Sequence, residues 1–409
     1  MDWLYLDNNA TTRPAEAVAD AMDEVNRSLW ANPSSVHRFG QSVRQRVDLA
    51  RASVAKLIGA KPGEVVFTSG GTESNTLAIR GTLDPSLLAG DRPSGVLISS
   101  GVEHSAVREP AEAYEAAGGP VEWLGVDAAG RVELASLGEA IDRHAETGAP
   151  LLVSVQWANN ETGVIQPIEQ VAELIQQKRE AARQAGRRLR LHLHVDGTQA
   201  VGKLPVDVKT AGVDMMTFSG HKFHGPKGVG GLYIRSGVKL RPQQRGGPQE
   251  RERRGGTENT PAIVGLGVAA DLAAEFVADE AWVERQRGLR DRFEQAIVEA
   301  VPHARVNASE ADRLWNTSNL AFPGLEAEAI LLGLSEKGLC ASAGAACSSG
   351  SLEPSPVLLA MGLAEPVAHG SVRFSLSRET TTEQIDRAIE LVPEAVQRLG
   401  QTMPVGEGV

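Results

Sequence analysis

The stretch Met215-Met216-Thr217-Phe218-Ser219-Gly220-His221-Lys222-Phe223-His224-Gly225-Pro226-Lys227-Gly228 joins a short apolar run to a polar turn that carries two lysines. Runs of the same kind recur at residues 64–68, 95–99, 121–126, 151–157, 191–195 and 230–234, separated by helical or polar segments. With residues 215–218 they make seven. That alternation predicts an α/β unit built on one large, mostly parallel seven-stranded sheet. Such sheets bind ligands beyond the carboxyl ends of their strands, so the residues just after each run are where chemistry is expected.

Outward from this unit the pattern changes. Ala15, Val18, Met22, Val25 and Leu29 step by three and four, as do Val43, Val47, Ala50, Val54 and Leu57, which predicts two amphipathic helices. After residue 260 come a long helical stretch, 263–301, then shorter mixed elements and a final helix over 382–399. Ile385, Ile389, Val392 and Val396 share one face of that helix, and Thr380 stands three residues before Glu383 at capping-box spacing. The expectation is a large domain over residues 15–260 and a smaller α+β domain formed by 1–14 with 261–409. The segment 177–190, rich in Lys and Arg, reads as a solvated helix face and loop.

Composition narrows the function. The 409 residues, 42% hydrophobic and 23% charged, describe a folding chain rather than a disordered one. Lys and Arg number 41 against 52 Asp and Glu, and the net charge of −11 disfavours nucleic acid or an anionic membrane as the main partner. No uncharged apolar run suggests a bilayer span, and Asp2 and Asp7 lie where a secretory signal would be basic and then apolar, so a cytoplasmic protein is expected. The two cysteines, Cys340 and Cys347, are too few for a disulfide framework and wrongly spaced for a zinc pair.

Three strand-end groups combine into one chemistry. Thr68-Ser69-Gly70-Gly71-Thr72-Glu73-Ser74-Asn75 follows a strand and opens a helix, offering free amides, two glycines and hydroxyls to a phosphate. A plain capped turn has the same look, but no nucleotide-binding glycine motif is present. Lys222 suits a Schiff base with an aldehyde cofactor, whereas Lys227 better fits an ordinary loop lysine. Asp196, in His194-Val195-Asp196-Gly197-Thr198-Gln199, is either a helix cap or a partner for a protonated ring nitrogen. Together they point to pyridoxal phosphate. His104 could stack on a ring or shuttle protons, and Asn160 could donate to a phenolic oxygen. Ten of the twelve residues from Cys340 to Ser351 other than the cysteines are Gly, Ala or Ser. Such a stretch suits a travelling nucleophile, Cys347, whereas Cys340 borders an apolar segment and should be packed.

Longer motifs extend the pattern: Tyr5-Leu6-Asp7-Asn8-Asn9-Ala10-Thr11-Thr12, Asn32-Pro33-Ser34-Ser35-Val36-His37, Trp157-Ala158-Asn159-Asn160-Glu161-Thr162-Gly163, Arg254-Gly255-Gly256-Thr257-Glu258-Asn259 and Arg373-Phe374-Ser375-Leu376-Ser377-Arg378. The chain resembles, nearly end to end, the pyridoxal-phosphate-dependent cysteine desulfurases of the NifS/IscS type in the class V aminotransferase group. The resemblance implies fold type I, with Lys222 linked to the cofactor, Asp196 on the pyridinium, His104 over the ring, and Gln199 and Asn160 at the phenolic oxygen. Gly71, Thr72, Ser219 and His221 would hold the phosphate, Thr257 would reach the phosphate of the other subunit of a homodimer, and Arg373, with Asn160, would bind the substrate carboxylate. Cys347 stands at the nucleophile position that takes sulfur from L-cysteine, releases L-alanine and passes the sulfur to an acceptor such as an iron-sulfur scaffold protein. In some relatives it also ligates a shared iron-sulfur cluster transiently. The alternatives are a class V aminotransferase, which needs no Cys347, a selenocysteine lyase, and a non-catalytic scaffold, against which Lys222 and Asp196 argue. The basic segment before His192 is longer than the family leads one to expect.

Overall fold

The computed structural model describes residues 3–83, 95–343 and 353–402. In chain order the elements begin with β1 (Leu4–Tyr5), α1 (Glu16–Ser28), α2 (Arg38–Leu57), β2 (Val65–Thr68), α3 (Gly71–Leu83), β3 (Val96–Ser100), α4 (Ser105–Ala116), β4 (Val121–Leu124), α5 (Leu134–Ala145), β5 (Leu151–Gln156), α6 (Ile168–Gln184), β6 (Leu191–Asp196), β7 (Met215–Ser219) and β8 (Gly230–Ile234). They continue with α7 (Thr260–Ala278), α8 (Glu280–Ala300), β9 (Arg305–Val306), β10 (Thr317–Ala321), α9 (Ala327–Glu336), β11 (Leu339–Cys340), α10 (Pro356–Ala360), α11 (Glu365–His369), β12 (Ser371–Ser375) and α12 (Thr382–Thr402).

All seven expected runs form one sheet, in the order β2-β8-β7-β6-β5-β3-β4. Six strands run one way and β8 runs against both its neighbours. The reason is loop length: parallel crossovers need a dozen or more residues, and the turn that carries Lys222 is too short for one, so the chain returns antiparallel. Helices cover both faces, which is why β3, β5, β7 and β8 are buried at every residue. The architecture is the mostly parallel α/β sheet of fold type I, with a smaller α+β layer beside it.

That smaller layer has its own core, in which Leu4 and Leu6 pack with Phe293, Phe374, Leu320, Ile385 and Val392. Its sheet has the order β12-β10-β9, and β1 pairs in parallel with β11, so the amino terminus is held by the carboxyl-terminal third of the chain. The boundary expected after residue 260 does not match the packing. Ala262, Ile263, Leu266, Ala269, Ala270 and Ala273 of α7 lie in the larger core, and Phe276 and the half-buried Val277 near its end reach the smaller one. Small residues let α7 press against α2: a Cβ at Gly267 would lie 2.6 Å from Ala50 Cα. α7 is long and apolar enough to cross a bilayer by length and composition, but its buried face is this contact with the core.

Two further expectations shift. The capping box of α12 is Thr381 with Gln384, not Thr380 with Glu383: Thr381 N donates to Gln384 Oε1 (3.0 Å) and Gln384 N to Thr381 Oγ1 (3.3 Å). Thr380 Oγ1 instead accepts from Ser377 N at 2.8 Å. Within the basic segment, Arg179 is only partly solvated; it donates to Leu191 O and pairs with the fully buried Asp214. Burial alone would raise the Asp214 carboxyl, but His192, Arg179 and Arg235 outweigh it and hold it low.

Candidate active site

The carboxyl ends of β2, β3, β5, β6 and β7 open on one cavity of about 250 Å³. Its lining includes Gly71 and Thr72 after β2, His104 after β3, Asn160 after β5, Asp196 and Gln199 from β6, and Ser219, His221 and Lys222 from β7. Nine expected cofactor residues, drawn from five strand ends, therefore share one space.

Lys222 ends a short 3-10 turn directly after β7, and its Nζ donates to the carbonyls of Asn9 (2.7 Å) and Ala10 (2.9 Å). Asp196 is not a helix cap: its Oδ1 accepts from Thr198 N (3.0 Å) and its Oδ2 from Asn75 Nδ2 (2.8 Å), which turns the carboxylate along the cavity wall. His104 caps α4, accepting from Ala106 N at Nδ1 (3.0 Å). That bond occupies the Nδ1 lone pair, so a neutral ring carries its proton on Nε2. His221 faces Thr11 Oγ1 through Nδ1 (3.1 Å), and its imidazole is pushed down to about 4 by burial and then by Lys222 and Lys227. A neutral imidazole remains at pH 7.

The other end of the cavity is an anion cradle. Gly71 and Thr72 begin α3 with their amides free of helical partners. Gly70, at φ 156°, makes the entry, and a Cβ on Gly230 would lie 2.9 Å from Gly70 Cα, so glycine is needed where the two backbones meet. Thr198 Oγ1 is buried here without a hydrogen-bond partner among the described residues. An orphaned hydroxyl beside free amides, opposite an amine and a carboxylate, fits a phosphorylated pyridine aldehyde.

Two expected residues stand elsewhere. Arg373, 2% exposed on β12, is not in the cavity wall; it lies behind Asn160, donating from Nη1 to Asn160 O (2.9 Å) and pairing from Nη2 with Asp7 Oδ1 (2.7 Å). Its Nε is buried with no partner among the described residues. Thr257 is exposed and lines a separate groove of about 370 Å³ with Trp30, Asn32 and Pro33. Cys347 lies outside the described residues. Cys340 is partly buried in β11, and burial followed by the Asp7 charge pushes its thiol up, which suits an unreactive sulfur.

Several residues with clear roles in the geometry were not singled out by the sequence. Asn9 is the hub: its carbonyl accepts from Lys222 and Gln199, its Nδ2 donates to Asn160 O and Thr317 Oγ1, and its Oδ1 accepts from Lys203 and Asn316. Asn75 and Thr198 hold Asp196. Glu103, 1% exposed beside His104, receives Gln156 N (2.8 Å) and Ser100 Oγ (3.2 Å) on Oε1, and burial pushes its carboxyl up to about 8. Asn9 and Asn75 lie inside conspicuous motifs, but one-letter spacing does not reveal which of several polar neighbours turns inward.

Residues 4–388 match the family model for Aminotransferase class-V. The chain is 46% identical to cysteine desulfurase 2 of Trichormus variabilis, covering 99% of this chain and 96% of that protein. It is 45% identical to the cysteine desulfurase NifS of Azotobacter vinelandii, covering 99% and 95%. Among solved structures, a NifS-like protein superposes with a TM-score of 0.86 at 33% identity, over 97% of this chain and all of that one. SspA in complex with cysteine gives 0.76 at 33% identity, over 92% and 99%. Fold, lysine-bearing cavity and sequence agree: the chain belongs to the class V aminotransferase family, among its NifS-like cysteine desulfurases.

Proposed function

We propose that this protein is a pyridoxal-phosphate-dependent cysteine desulfurase, in which L-cysteine and the thiol of Cys347 become L-alanine and a persulfide on Cys347. The substrate carbon–sulfur bond breaks, a sulfur–sulfur bond forms, and the carbon left behind takes a proton. The observation that carries the reading is the convergence of Lys222, Asp196 and the α3 amides on one cavity, together with the cysteine desulfurase relatives.

When bound, pyridoxal phosphate supplies an electron sink for the substrate carbon. The protein does the rest. Lys222 would anchor the aldehyde carbon and move protons, Asp196 would keep the ring nitrogen protonated, and His104 would cover the ring and serve as a proton donor. Gly71, Thr72, Ser219 and His221 hold the phosphate, Gln199 and Asn160 serve the phenolic oxygen, and Arg373, already braced by Asn160, receives the substrate carboxylate. Thr257 and the Trp30 groove face a second copy of the chain, making each site of a homodimer composite. The Cys347 sulfur goes on to an acceptor protein such as an iron-sulfur scaffold, in the cytoplasm.

The test is direct. Purified protein should be yellow, Lys222→Ala should lose the borohydride-reducible link to the cofactor while keeping its fold, and cysteine alone should yield alanine, and sulfide once a reductant is added. Alanine formed only when a keto acid accepts the amino group would make the protein an aminotransferase instead.

A further inference from the structure

Lys203 lies just beyond β6 and is 5% exposed. Its Nζ donates to Asn9 Oδ1 at 2.9 Å and to Gln199 Oε1. No carboxylate pairs with it among the described residues. Burial pushes its amine well below the usual lysine range, and Lys222 and Arg373 push the same way. Two carboxamide oxygens, Asn9 Oδ1 and Gln199 Oε1, take its N–H groups.

The consequence falls on Gln199. Its Oε1 end is taken by Lys203, while its Nε2 donates one hydrogen to Asn9 O (3.0 Å), the same carbonyl that Lys222 Nζ reaches. Nε2 keeps its second hydrogen, and Gln199 lines the cavity. Flipping the carboxamide would set Oε1 against the Asn9 carbonyl and Nε2 against the Lys203 amine, so one orientation is enforced.

We propose that Lys203 is a positioning residue of the desulfurase site: by holding Gln199 Oε1 and Asn9 Oδ1 it fixes the Gln199 carboxamide with its N–H end toward the cofactor. This rests on the reading of Gln199 as a cofactor donor. Lys203 touches neither cofactor nor substrate; it acts through Gln199.

The experiment is a double-mutant cycle on the holoenzyme, with Lys203→Met and Gln199→Ala alone and together. The readouts are the visible absorption maximum of the bound cofactor and the pyridoxal phosphate dissociation constant. Each single variant is expected to move the absorption maximum and to weaken the cofactor roughly three- to tenfold, the range of one net hydrogen bond. The double variant should match Gln199→Ala, because Lys203 has nothing left to orient. Equal and additive effects of Lys203→Met in both backgrounds, or a lowered melting temperature with an unmoved spectrum, overturn the proposal. If Gln199→Ala itself leaves spectrum and affinity unchanged, the reading of Gln199 fails first, whereas a shift with Gln199→Ala and none with Lys203→Met defeats Lys203 alone. Should Lys203→Met not fold, Gln199→Glu answers instead. A carboxylate against Lys203 Nζ should raise the melting temperature above that of Gln199→Ala, and a value at or below it overturns the contact.

Discussion

Asp7 Oδ1 sits 2.7 Å from Arg373 Nη2, joining the segment after β1 to the middle of β12 across 366 residues of sequence. The pair turns one edge of a buried guanidinium toward the chain's own carboxylate, with Asn160 O on Nη1 and Nε still unpartnered among the described residues. Lysine can supply the charge at this place but not the fork.

On the proposed role of Arg373 as the carboxylate site, Arg373→Lys is expected to raise KM for cysteine by about tenfold or more, since the fork that would hold the substrate carboxylate is lost. The cofactor spectrum should not move. Steady-state kinetics with an absorption spectrum of each variant checks both halves, and an unchanged KM would count against Arg373 as the carboxylate site.

Glu103 gives a pH dependence. Its carboxyl, pushed up to about 8 by burial, keeps a proton in the folded protein that the unfolded chain loses near 4.5. Between those values the folded state binds more protons, so stability falls as pH rises from about 4.5 to about 8 and levels off above. Glu103→Gln keeps the acceptor for Gln156 N and Ser100 Oγ and removes the titration. Thermal melts at pH 5 and pH 8.5 should show the variant gaining on the parent at the higher pH, by a few kcal/mol at most.

Glu250 tests a strained turn. Glu250, Arg251 and Glu252 have φ of 48°, 57° and 63°, a left-handed run that side chains resist by about 1–3 kcal/mol each. The turn is pinned by Glu250, whose carboxylate takes both Arg51 Nη atoms at 2.7 Å and also Phe67 N at 3.0 Å. Glu250→Ala should cost about 3–5 kcal/mol by stranding the buried Arg51 charge. Because the same loop leads to Thr257, the homodimer proposed above should also dissociate at higher protein concentration than the parent, which sedimentation measures.

The two cysteines should part cleanly. Cys347→Ser is expected to bind cofactor and cysteine yet release no alanine, because a hydroxyl attacks sulfur far less well than a thiolate. Cys340→Ser should remain active. Peptide mapping after a single turnover with cysteine locates the persulfide, and finding it on Cys340 would reverse the assignment.

The sheet was legible because most of its strands are buried on both faces and so read as largely apolar runs. The same simplicity exposed the site, since in a parallel sheet the chemistry collects where the runs stop: Asp196, Ser219 and Lys222 could be placed from the ends of two runs. Asn9 escaped because its role depends on contacts over 151 and more residues of sequence, and Lys203 because its partner Asn9 lies 194 residues away; no local spacing encodes either. The end of the larger core was misjudged because α7 is apolar on nearly every side, a pattern equally suited to either core. The cap of α12 slipped by one residue because Thr380 and Thr381 both offer a hydroxyl and only backbone direction separates them.

The floor under Lys222 is made by residues 9 and 10, and these are moored to Asn316, Thr317 and Ser375. During synthesis residues 9 and 10 are made early, and their moorings follow more than 300 residues later. A ribosome-bound intermediate ending before β12 could assemble the large sheet, its lysine and its anion cradle, yet would lack the strand that steadies Asn9 and the arginine on it. The amine is thus seated late, after the scaffold that surrounds it.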